Sequence, residues 1–267
     1  MSVAQAHQKN TYPAVRLAVS GTYSTGKTTT TLALANLTGI QRTHAKTMRE
    51  ILPDALPGKS LEECTAPELV QLGIRRYAER IVHECKLEDG FISDGSSLHE
   101  WVYGMARMKV GINPNEPPIA RSFKSLLMLP VKPTYVQIFK NIGDIVKQHA
   151  KESYDEFIHL PVEFPLVADG HRPVSEKFRQ LSDDLLKETL NELGIKYHVV
   201  GGSVEERLEK ILDIYGFEPV MDIEEAIEMA MVEVRKFHLE IEQDAKEAEE
   251  RWKNSGWTKR LAMKLRF

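Results

Sequence analysis

One short motif constrains this chain more than any other feature. Residues 21–28 read Gly-Thr-Tyr-Ser-Thr-Gly-Lys-Thr, which is the G-x-x-x-x-G-K-[ST] pattern of a phosphate-binding loop. The glycines allow the backbone to curl so that several N–H groups point at one phosphate. Lys27 adds a positive charge for the terminal phosphates, and the hydroxyl of Thr28 suits a Mg²⁺ ligand.

The segments on both sides of this loop predict a strand, a loop and a helix. Residues 14–20 are apolar and β-prone, as a strand that enters the loop should be. Residues 27–37 follow as a helix whose N-terminus directs the positive end of its dipole at the bound anion. The sequence therefore predicts that ATP, or alternatively GTP, is bound by Gly21, Thr22, Tyr23, Ser24, Thr25, Gly26, Lys27, Thr28 and Thr29.

Overall composition argues against several other classes of function. The chain has 267 residues and a formal net charge of −4, so we do not expect a surface built for nucleic acid. It has no apolar run long enough for a membrane span. Its two cysteines, Cys64 and Cys85, are too few for a metal-ligand set and suit a reducing cytoplasm.

Short apolar runs alternate with helical stretches, which is typical of an α/β protein with a parallel sheet. The candidate strands are 14–20, about 40–45, 90–94, 133–139 and 195–200, and the candidate helices between them are 27–37, 66–88, 96–108, 119–128, 142–150 and 174–194. The expected fold is the P-loop NTPase architecture, a five-stranded parallel sheet sandwiched by helices. We expect a flexible lead over 1–13, one nucleotide-binding domain over 14–220 and a helical extension over 221–267.

Ligands of such sheets lie at the carboxyl ends of the strands, so the residues after each strand are candidates for chemistry. Asp94 ends the third candidate strand, where it is placed to hold Mg²⁺ or to accept the proton of an acceptor hydroxyl. The alternative is a turn-forming aspartate or a helix N-cap. Residues 140–141 follow the fourth candidate strand, and residues 201–203 follow the fifth.

A cationic lid is the next expected feature, because an arginine over the transferred phosphoryl group stabilises its negative charge. Arg172 lies between the fourth and fifth candidate strands, in the sequence His-Arg-Pro, and we predict this role for it. A turn in which Pro173 starts the next helix is the alternative. Lys147, His149 and Lys151 are further candidates for the lid charge.

The C-terminal region predicts a long amphipathic helix. Apolar residues recur three or four positions apart from Ile223 to Ile241, whereas residues 257–267 are basic and amphipathic. Three partners remain open for this region: the core of its own chain, a second copy of the chain in a homodimer, or an anionic membrane or polymer.

Together these features resemble a known family. Residues 21–29, Asp94 followed by Tyr103, and residues 169–173 are similar to the P-loop kinase-like ATPases grouped with the ribosylnicotinamide kinase domain of the bifunctional NAD-biosynthesis regulator, the AAA- and NadR-like P-loop NTPases. The resemblance covers roughly residues 14–215. It implies a phosphoryl acceptor that is a small molecule, with Tyr103 among the residues that bind it.

The chain departs from that family pattern in the expected acceptor pocket. Residues 46–50 read Lys-Thr-Met-Arg-Glu where the family has a Glu-Tyr-Ala-Arg-Glu-like stretch, so Lys46 replaces an acid while Arg49 is kept. The family's Asp-Arg after the third strand is Asp94-Gly95 in this chain. A lysine in place of an acid favours a negatively charged acceptor, and we predict that Lys46 and Arg49 contact it.

Two functions fit these observations. The first is an ATP- and Mg²⁺-dependent kinase of a nucleoside, a nucleotide or another anionic metabolite with a hydroxyl group, with Lys27, Asp94 and Arg172 as catalytic residues. The second is a nucleotide-dependent switch or NTPase module that acts on a protein or a lipid surface, which the basic C-terminal residues favour. A lid-like insertion over 140–180 favours the kinase, and the lack of an Asn-Lys-x-Asp guanine signature argues against a GTP switch.

Overall fold

Helices and strands alternate along the described part of the chain. The computed structural model describes residues 14–43, 46–56, 59, 64–110, 132–165, 176–254 and 256. The elements in these ranges are β1 (Arg16–Ser20), α1 (Lys27–Thr38), β2 (Arg42–Thr43), α2 (Met48–Ala55), α3 (Ala66–Glu84), β3 (Phe91–Asp94), α4 (Leu98–Val110), α5 (Lys132–Ser153), β4 (Glu156–His159), α6 (Glu176–Leu193), β5 (Tyr197–Val199), α7 (Val204–Tyr215) and α8 (Ile223–Lys253).

The strands form one sheet with 5 members, in the order β2-β3-β1-β4-β5, and every pairing in it is parallel. The central strand is β1, in which Val19 pairs with Asp94 of β3 on one side and with Ile158 of β4 on the other. The carboxyl ends of β3, β1 and β4 therefore meet at one edge, where the phosphate loop begins. The predicted α/β P-loop architecture is confirmed.

Alternate residues of the central strand face opposite sides of the sheet. Leu17 and Val19 pack on one side with apolar residues of α1, α7 and α8, while Ala18 packs on the other side with residues of α4, α5 and α6. All three side chains are fully buried. Helices thus cover both faces, which is the usual arrangement for a parallel sheet.

The first half of α8 packs along α1. Ala226 and Ala230 are fully buried and share one apolar cluster with Leu34 of α1. The side-chain Nδ2 of Asn36 donates a hydrogen bond of 3.4 Å to the carbonyl oxygen of Ala226. Of the three partners that the sequence left open, the core of its own chain is therefore the partner of this half of the helix. The domain boundary near residue 220 stays a prediction. None of the described helices combines the length and apolar character of a membrane span.

The predicted fourth strand is wrong. Residues 133–139 lie in α5, and the fourth strand is β4, at Glu156–His159. The β-branched and aromatic content of residues 133–139 favours a strand, but tertiary packing overrides that preference. In the structure α5 packs on α4, and Nε1 of Trp101 donates a hydrogen bond of 2.9 Å to the carbonyl oxygen of Phe139.

This correction changes which residues follow the fourth strand. Lys140 and Asn141 lie inside α5, and residues 160–165 come after β4 instead. The first part of the lid predicted over 140–180 is therefore a packed helix and a strand. The remaining lid residues 166–175, and the predicted segments 1–13, 119–128 and 257–267, lie outside the described residues.

Candidate functional site

The phosphate loop begins where β1 ends, and its shape depends on glycine at two positions. Gly21 has a φ of 141°, and Gly26, the N-cap of α1, has a φ of 83°. Residues other than glycine rarely adopt these angles, and a Cβ on Gly21 would lie 2.7 Å from the carbonyl oxygen of Leu160. The loop therefore directs the N-terminus of α1 toward the phosphate site, and the first turn of that helix has no acidic residue to compete with an anion.

Lys27 braces the phosphate loop from within. Its Nζ donates a hydrogen bond of 2.6 Å to the carbonyl oxygen of Thr22, and the hydroxyl of Thr25 donates to the same oxygen at 3.0 Å. Thr22 and Thr25 are both buried. The ammonium group is thus held across the loop, in a position that suits neutralisation of the terminal phosphates of a nucleotide.

Thr28 and Asp94, the two predicted Mg²⁺ ligands, lie together. Oγ1 of Thr28 donates a hydrogen bond of 2.7 Å to Oδ2 of Asp94, because β1 and β3 are neighbours in the sheet. Hydroxyl and carboxylate oxygens are hard ligands, and Mg²⁺ in nucleotide sites takes one or two protein ligands beside phosphate oxygens and waters. These two residues therefore fit a Mg²⁺ ion that accompanies a bound nucleotide.

Tyr103 lies against the phosphate loop in an aromatic cluster of Tyr23, Tyr103 and Phe178. The ring of Tyr103, on α4, stacks on that of Tyr23 with centroids 4.5 Å apart. Phe178, on α6, stacks on Tyr23 at 5.9 Å. The cluster joins the loop to two helices on one face of the sheet, and Phe178 is its fully buried member.

The other predicted contacts to the acceptor are less constrained. Nζ of Lys46 lies 3.8 Å from Oε2 of Glu79 on α3, and the two side chains are 44% and 43% exposed. The side chain of Arg49 and the whole of Arg172 lie outside the described residues. Their predicted roles stay predictions.

Two of the alternative lid charges are packed against the protein instead. Nζ of Lys147 donates a hydrogen bond of 2.7 Å to Glu192 and lies 5.0 Å from the ring centroid of Trp101. His149 packs edge-on against Tyr77, with ring centroids 5.5 Å apart. Both residues lie on α5, so neither belongs to a lid. Lys151 is exposed in the last turn of the same helix.

A buried arginine that the sequence analysis did not identify supports the phosphate loop. Arg207 of α7 is 1% exposed, and it donates hydrogen bonds of 2.6 Å to the carbonyl oxygen of Thr25 and 3.2 Å to Oε2 of Glu163. The same Glu163 oxygen accepts the backbone N–H of Gly202 at 2.8 Å. Hydrogen bonds from Gly202 and Arg207 hold the pKa of Glu163 below its usual value. The loop is thereby tied to the segments that follow β4 and β5.

A second buried polar network stands behind Asp94. Arg80 of α3 donates hydrogen bonds of 2.6 Å to Oγ of Ser93 and 3.2 Å to the carbonyl oxygen of Asp94. One turn later, Glu84 accepts from Ser93 at 3.0 Å and from the hydroxyl of Tyr154 at 2.8 Å. Burial raises the pKa of Glu84, and the charge of Arg80 opposes that shift. This network fixes the end of β3 and therefore the position of Asp94.

A further buried arginine lies on α6. Arg179 is 1% exposed, and its Nη1 donates a hydrogen bond of 2.7 Å to the carbonyl oxygen of Phe164. Its Nε and Nη2 atoms have no hydrogen-bond partner within the described ranges. Phe178, the preceding residue, contacts Tyr23 of the phosphate loop. The helix that follows the predicted lid thus brings Phe178 to the loop and holds Arg179 against the segment after β4.

Comparison with solved structures supports the fold. Against the structure of deoxyadenosine kinase from M. mycoides with bound dATP, the TM-score is 0.50 at 15% identity, over 76% of this chain and 100% of that chain. Against the crystal structure of NadR protein in complex with NR, the TM-score is 0.47 at 15% identity, over 78% of this chain and 54% of that chain. The similarity to deoxyadenosine kinase, at 15% identity, shows the fold alone. No curated protein sequence matches the chain.

A family model matches the part of the chain that carries the sheet and the phosphate loop. The model, described as AAA domain (AAA_28), covers residues 16–207, which run from the start of β1 to Arg207 in α7. This range is more than half of the chain and includes both the phosphate loop and Asp94. The P-loop kinase-like family predicted from the sequence is confirmed at this level: the chain belongs to the AAA_28 family of AAA domains.

Proposed function

We propose that the chain is an ATP- and Mg²⁺-dependent phosphotransferase that acts on a small molecule. The observation that supports it most is the hydrogen bond of 2.7 Å between Thr28 and Asp94, beside the lysine of the phosphate loop. A phosphate loop alone binds a nucleotide, whereas a carboxylate at the end of the neighbouring strand adds a metal ligand or a base. GTP remains the alternative phosphoryl donor.

Each residue of the site has a role in this proposal. Lys27 and the backbone amides of residues 22–28 hold the β- and γ-phosphates, and Thr28 and Asp94 hold the metal, which supplies charge neutralisation when it is bound. In this proposal Asp94 also accepts the proton of the acceptor hydroxyl. Arg172 covers the transferring phosphoryl group from the segment before α6.

The acceptor is proposed to bind between the end of β3 and α2, next to Tyr103. Lys46 is the reason to propose an anionic acceptor, since its side chain is 44% exposed and its Nζ lies 3.8 Å from Oε2 of Glu79. Arg49 adds a second positive charge from α2. We expect Lys46→Ala to raise the Michaelis constant for the acceptor and to leave that for the nucleotide unchanged. An unchanged acceptor constant would remove Lys46 from the binding site.

A second candidate function is a nucleotide-dependent switch. The observation in its favour is that α1 begins at Lys27 of the phosphate loop and packs along α8, with Ala226 and Ala230 buried in the contact. A change at the nucleotide would therefore reach the C-terminal helix directly. In this case a protein or a lipid surface, rather than a small molecule, would be the partner. The two free cysteines, Cys64 and Cys85, suit the reducing cytoplasm that we propose for either function.

A melting screen in two stages separates the candidates. The full chain is heated first with Mg²⁺ and a non-hydrolysable analogue of ATP or GTP, and then with nucleosides, nucleotides, sugars and hydroxy acids added. Binding raises the melting temperature by mass action. The kinase predicts a nucleotide shift plus a second, additive shift from one class of small molecule. A nucleotide shift with no second shift contradicts it and favours the switch. Lys27→Ala, which should lose the first shift, is the control.

A further inference from the structure

His99 lies at the start of α4, shortly after Asp94, and its imidazole is fixed on several sides. The side chain is 4% exposed. Its Nδ1 accepts the backbone N–H of Ser96 at 2.9 Å, and the ring packs edge-on against Tyr103 with centroids 6.0 Å apart. A Cβ on Gly95 would lie 3.4 Å from Nδ1. The ring thus lies between the turn after β3 and the aromatic cluster on the phosphate loop.

The hydrogen bond from Ser96 determines the tautomer of His99. A backbone N–H can only donate, so Nδ1 must be the nitrogen without a proton. Burial lowers the pKa of His99 well below its ordinary value, and the charges of Lys27, Arg80 and Arg76 act in the same direction. The ring is therefore neutral, with its proton on Nε2. Within the described part of the chain, Nε2 has no hydrogen-bond partner, and a buried donor without an acceptor is rare in proteins.

The charges around the ring indicate which acceptor fits this donor. The ring of His99 contacts Tyr103, which stacks on Tyr23 of the phosphate loop, and the charge of Lys27 in that loop lowers the pKa of His99 more than those of Arg80 and Arg76 do. Arg80 and Arg76 each pair with a carboxylate, at 3.5 Å and 2.5 Å respectively. The carboxylate of Asp94 is hydrogen-bonded to Thr28. An N–H donor beside the lysine of a phosphate loop suits an anionic oxygen, because charge-assisted hydrogen bonds are the strong ones.

We propose that Nε2–H of His99 donates a hydrogen bond to a phosphoryl oxygen bound beside Lys27. Two sources can supply that oxygen, namely the terminal phosphate of the nucleotide or a phosphate group on the acceptor. The first needs only the phosphate loop, and the second rests on the proposed kinase function. In either case the ring is already oriented by Ser96, so the imidazole need not rotate to form the hydrogen bond, but Nε2 is buried and the ligand oxygen must displace the groups beside it.

Two substitutions separate the donor from the structural role of the ring. In His99→Asn the side-chain amide can replace Nδ1 and keep the hydrogen bond to Ser96, but nothing replaces Nε2. In His99→Gln the amide reaches the position of Nε2, and the contact to Ser96 is lost. The proposal predicts weaker phosphate binding in His99→Asn and near-normal binding in His99→Gln. If the ring has only a structural role, His99→Gln should be the more damaging variant, because it loses the contact to Ser96, and the damage should be a lower melting temperature.

Two binding comparisons distinguish the sources, both on the full chain with Mg²⁺. The first compares a non-hydrolysable ATP analogue with ADP, which isolates the terminal phosphate. The second, with the ATP analogue present, compares nucleoside 5′-monophosphates with the matching nucleosides. We expect His99→Asn to reduce the advantage of the phosphorylated ligand by about tenfold in one comparison. An unchanged advantage in both comparisons, or an equal loss in His99→Gln, overturns the proposal.

Nitrogen NMR of the wild-type histidines provides a test that needs no variant. We expect a protonated Nε2 and an unprotonated Nδ1 for His99, and a shift of the Nε2 proton when the ATP analogue or a 5′-monophosphate binds. A proton on Nδ1, or no shift with either ligand, contradicts the proposal. If the wild type transfers phosphate to none of the small molecules, the kinase function is refuted. The proposal for His99 is still tested in that case, since the comparison of the ATP analogue with ADP does not depend on transfer.

Discussion

The phosphate loop and the turn after β3 end neighbouring strands, yet they are held in place in different ways. The loop is shaped by its own residues, since Lys27 and Thr25 both donate to the carbonyl oxygen of Thr22. The turn that carries Asp94 depends on Arg80 and Glu84, which are buried on a distant helix, α3. Hydrogen bonds within the loop, supported by one distant arginine, Arg207, therefore shape the nucleotide side of the site, whereas the side that faces the acceptor depends on a long-range buried network.

This difference predicts the largest effect for Glu84→Ala. The substitution leaves the Arg80 guanidinium buried without its carboxylate, so the free energy of unfolding should fall by about 3–5 kcal/mol in chemical denaturation. Glu79→Ala on the same helix, where the side chain is 43% exposed, should cost less than about 1 kcal/mol.

A double variant sharpens the same test. Arg80→Met with Glu84→Met removes both buried charges, so it should recover much of the stability that Glu84→Ala loses. A double variant as unstable as Glu84→Ala would mean that packing, rather than an unpaired charge, dominates the loss. The folded fraction of each variant should still bind the nucleotide, because the phosphate loop does not depend on α3.

Arg207→Met tests the nucleotide side. The loop loses the hydrogen bond of 2.6 Å to Thr25, so we expect a loss of about 2–3 kcal/mol of stability and weaker binding of the Mg²⁺–ATP analogue by calorimetry. Lys210→Met, an exposed position on the same helix that bonds the carbonyl oxygen of Gly201, is the matched control. Nucleotide affinity equal to that of the wild type in Arg207→Met would show that the loop holds its shape without this arginine.

The smallest expected effect is on the pH dependence of stability, and it concerns His149, whose ring packs edge-on against Tyr154 of the network behind Asp94 with centroids 5.9 Å apart. Burial, with a contribution from Arg80, lowers the pKa of His149 from 6.5 to about 4. Between these values the unfolded state binds more protons, so stability falls as the pH falls through this range. His149→Gln should therefore lose less stability than the wild type over this interval, by on the order of 1–2 kcal/mol.

Melting curves recorded across that pH range measure the difference. His238→Gln, at an exposed position on α8, controls for the loss of one imidazole. Parallel curves for the wild type and His149→Gln would contradict the assignment of this acid sensitivity to the network behind Asp94.

The sequence predicts the phosphate loop and the strands β1 and β3 that end beside it well because their signals are local. The helix predicted over 27–37 is α1 at Lys27–Thr38, and the strand predicted over 90–94 is β3 at Phe91–Asp94. The glycine spacing marks the places where the loop must bend, and the short apolar run before the loop marks the buried strand that enters it. The meeting of Thr28 with Asp94 follows from the rule that ligands lie where parallel strands end.

The rest of the site could not be predicted because its residues have no local signal. Arg80 and Arg207 lie in helical segments rich in charged residues, a pattern that predicts exposure to solvent, yet both are 1% exposed. The sequence does not predict β4 for a related reason, since only two of its four residues, the pair between Glu156 and His159, are apolar. Burial of such groups depends on partners far along the chain, which periodicity does not reveal.

Transfer of labelled γ-phosphate from ATP tests the central claim most directly. Wild-type protein, Lys27→Ala and Asp94→Asn would each be incubated with Mg²⁺, labelled ATP and the panel of small molecules, after their folding is checked by melting. We predict that the wild type labels one class of acceptor and that both variants do so at least about 100-fold more slowly. A wild type that releases only inorganic phosphate, or an Asp94→Asn variant that transfers at the wild-type rate, would contradict the account.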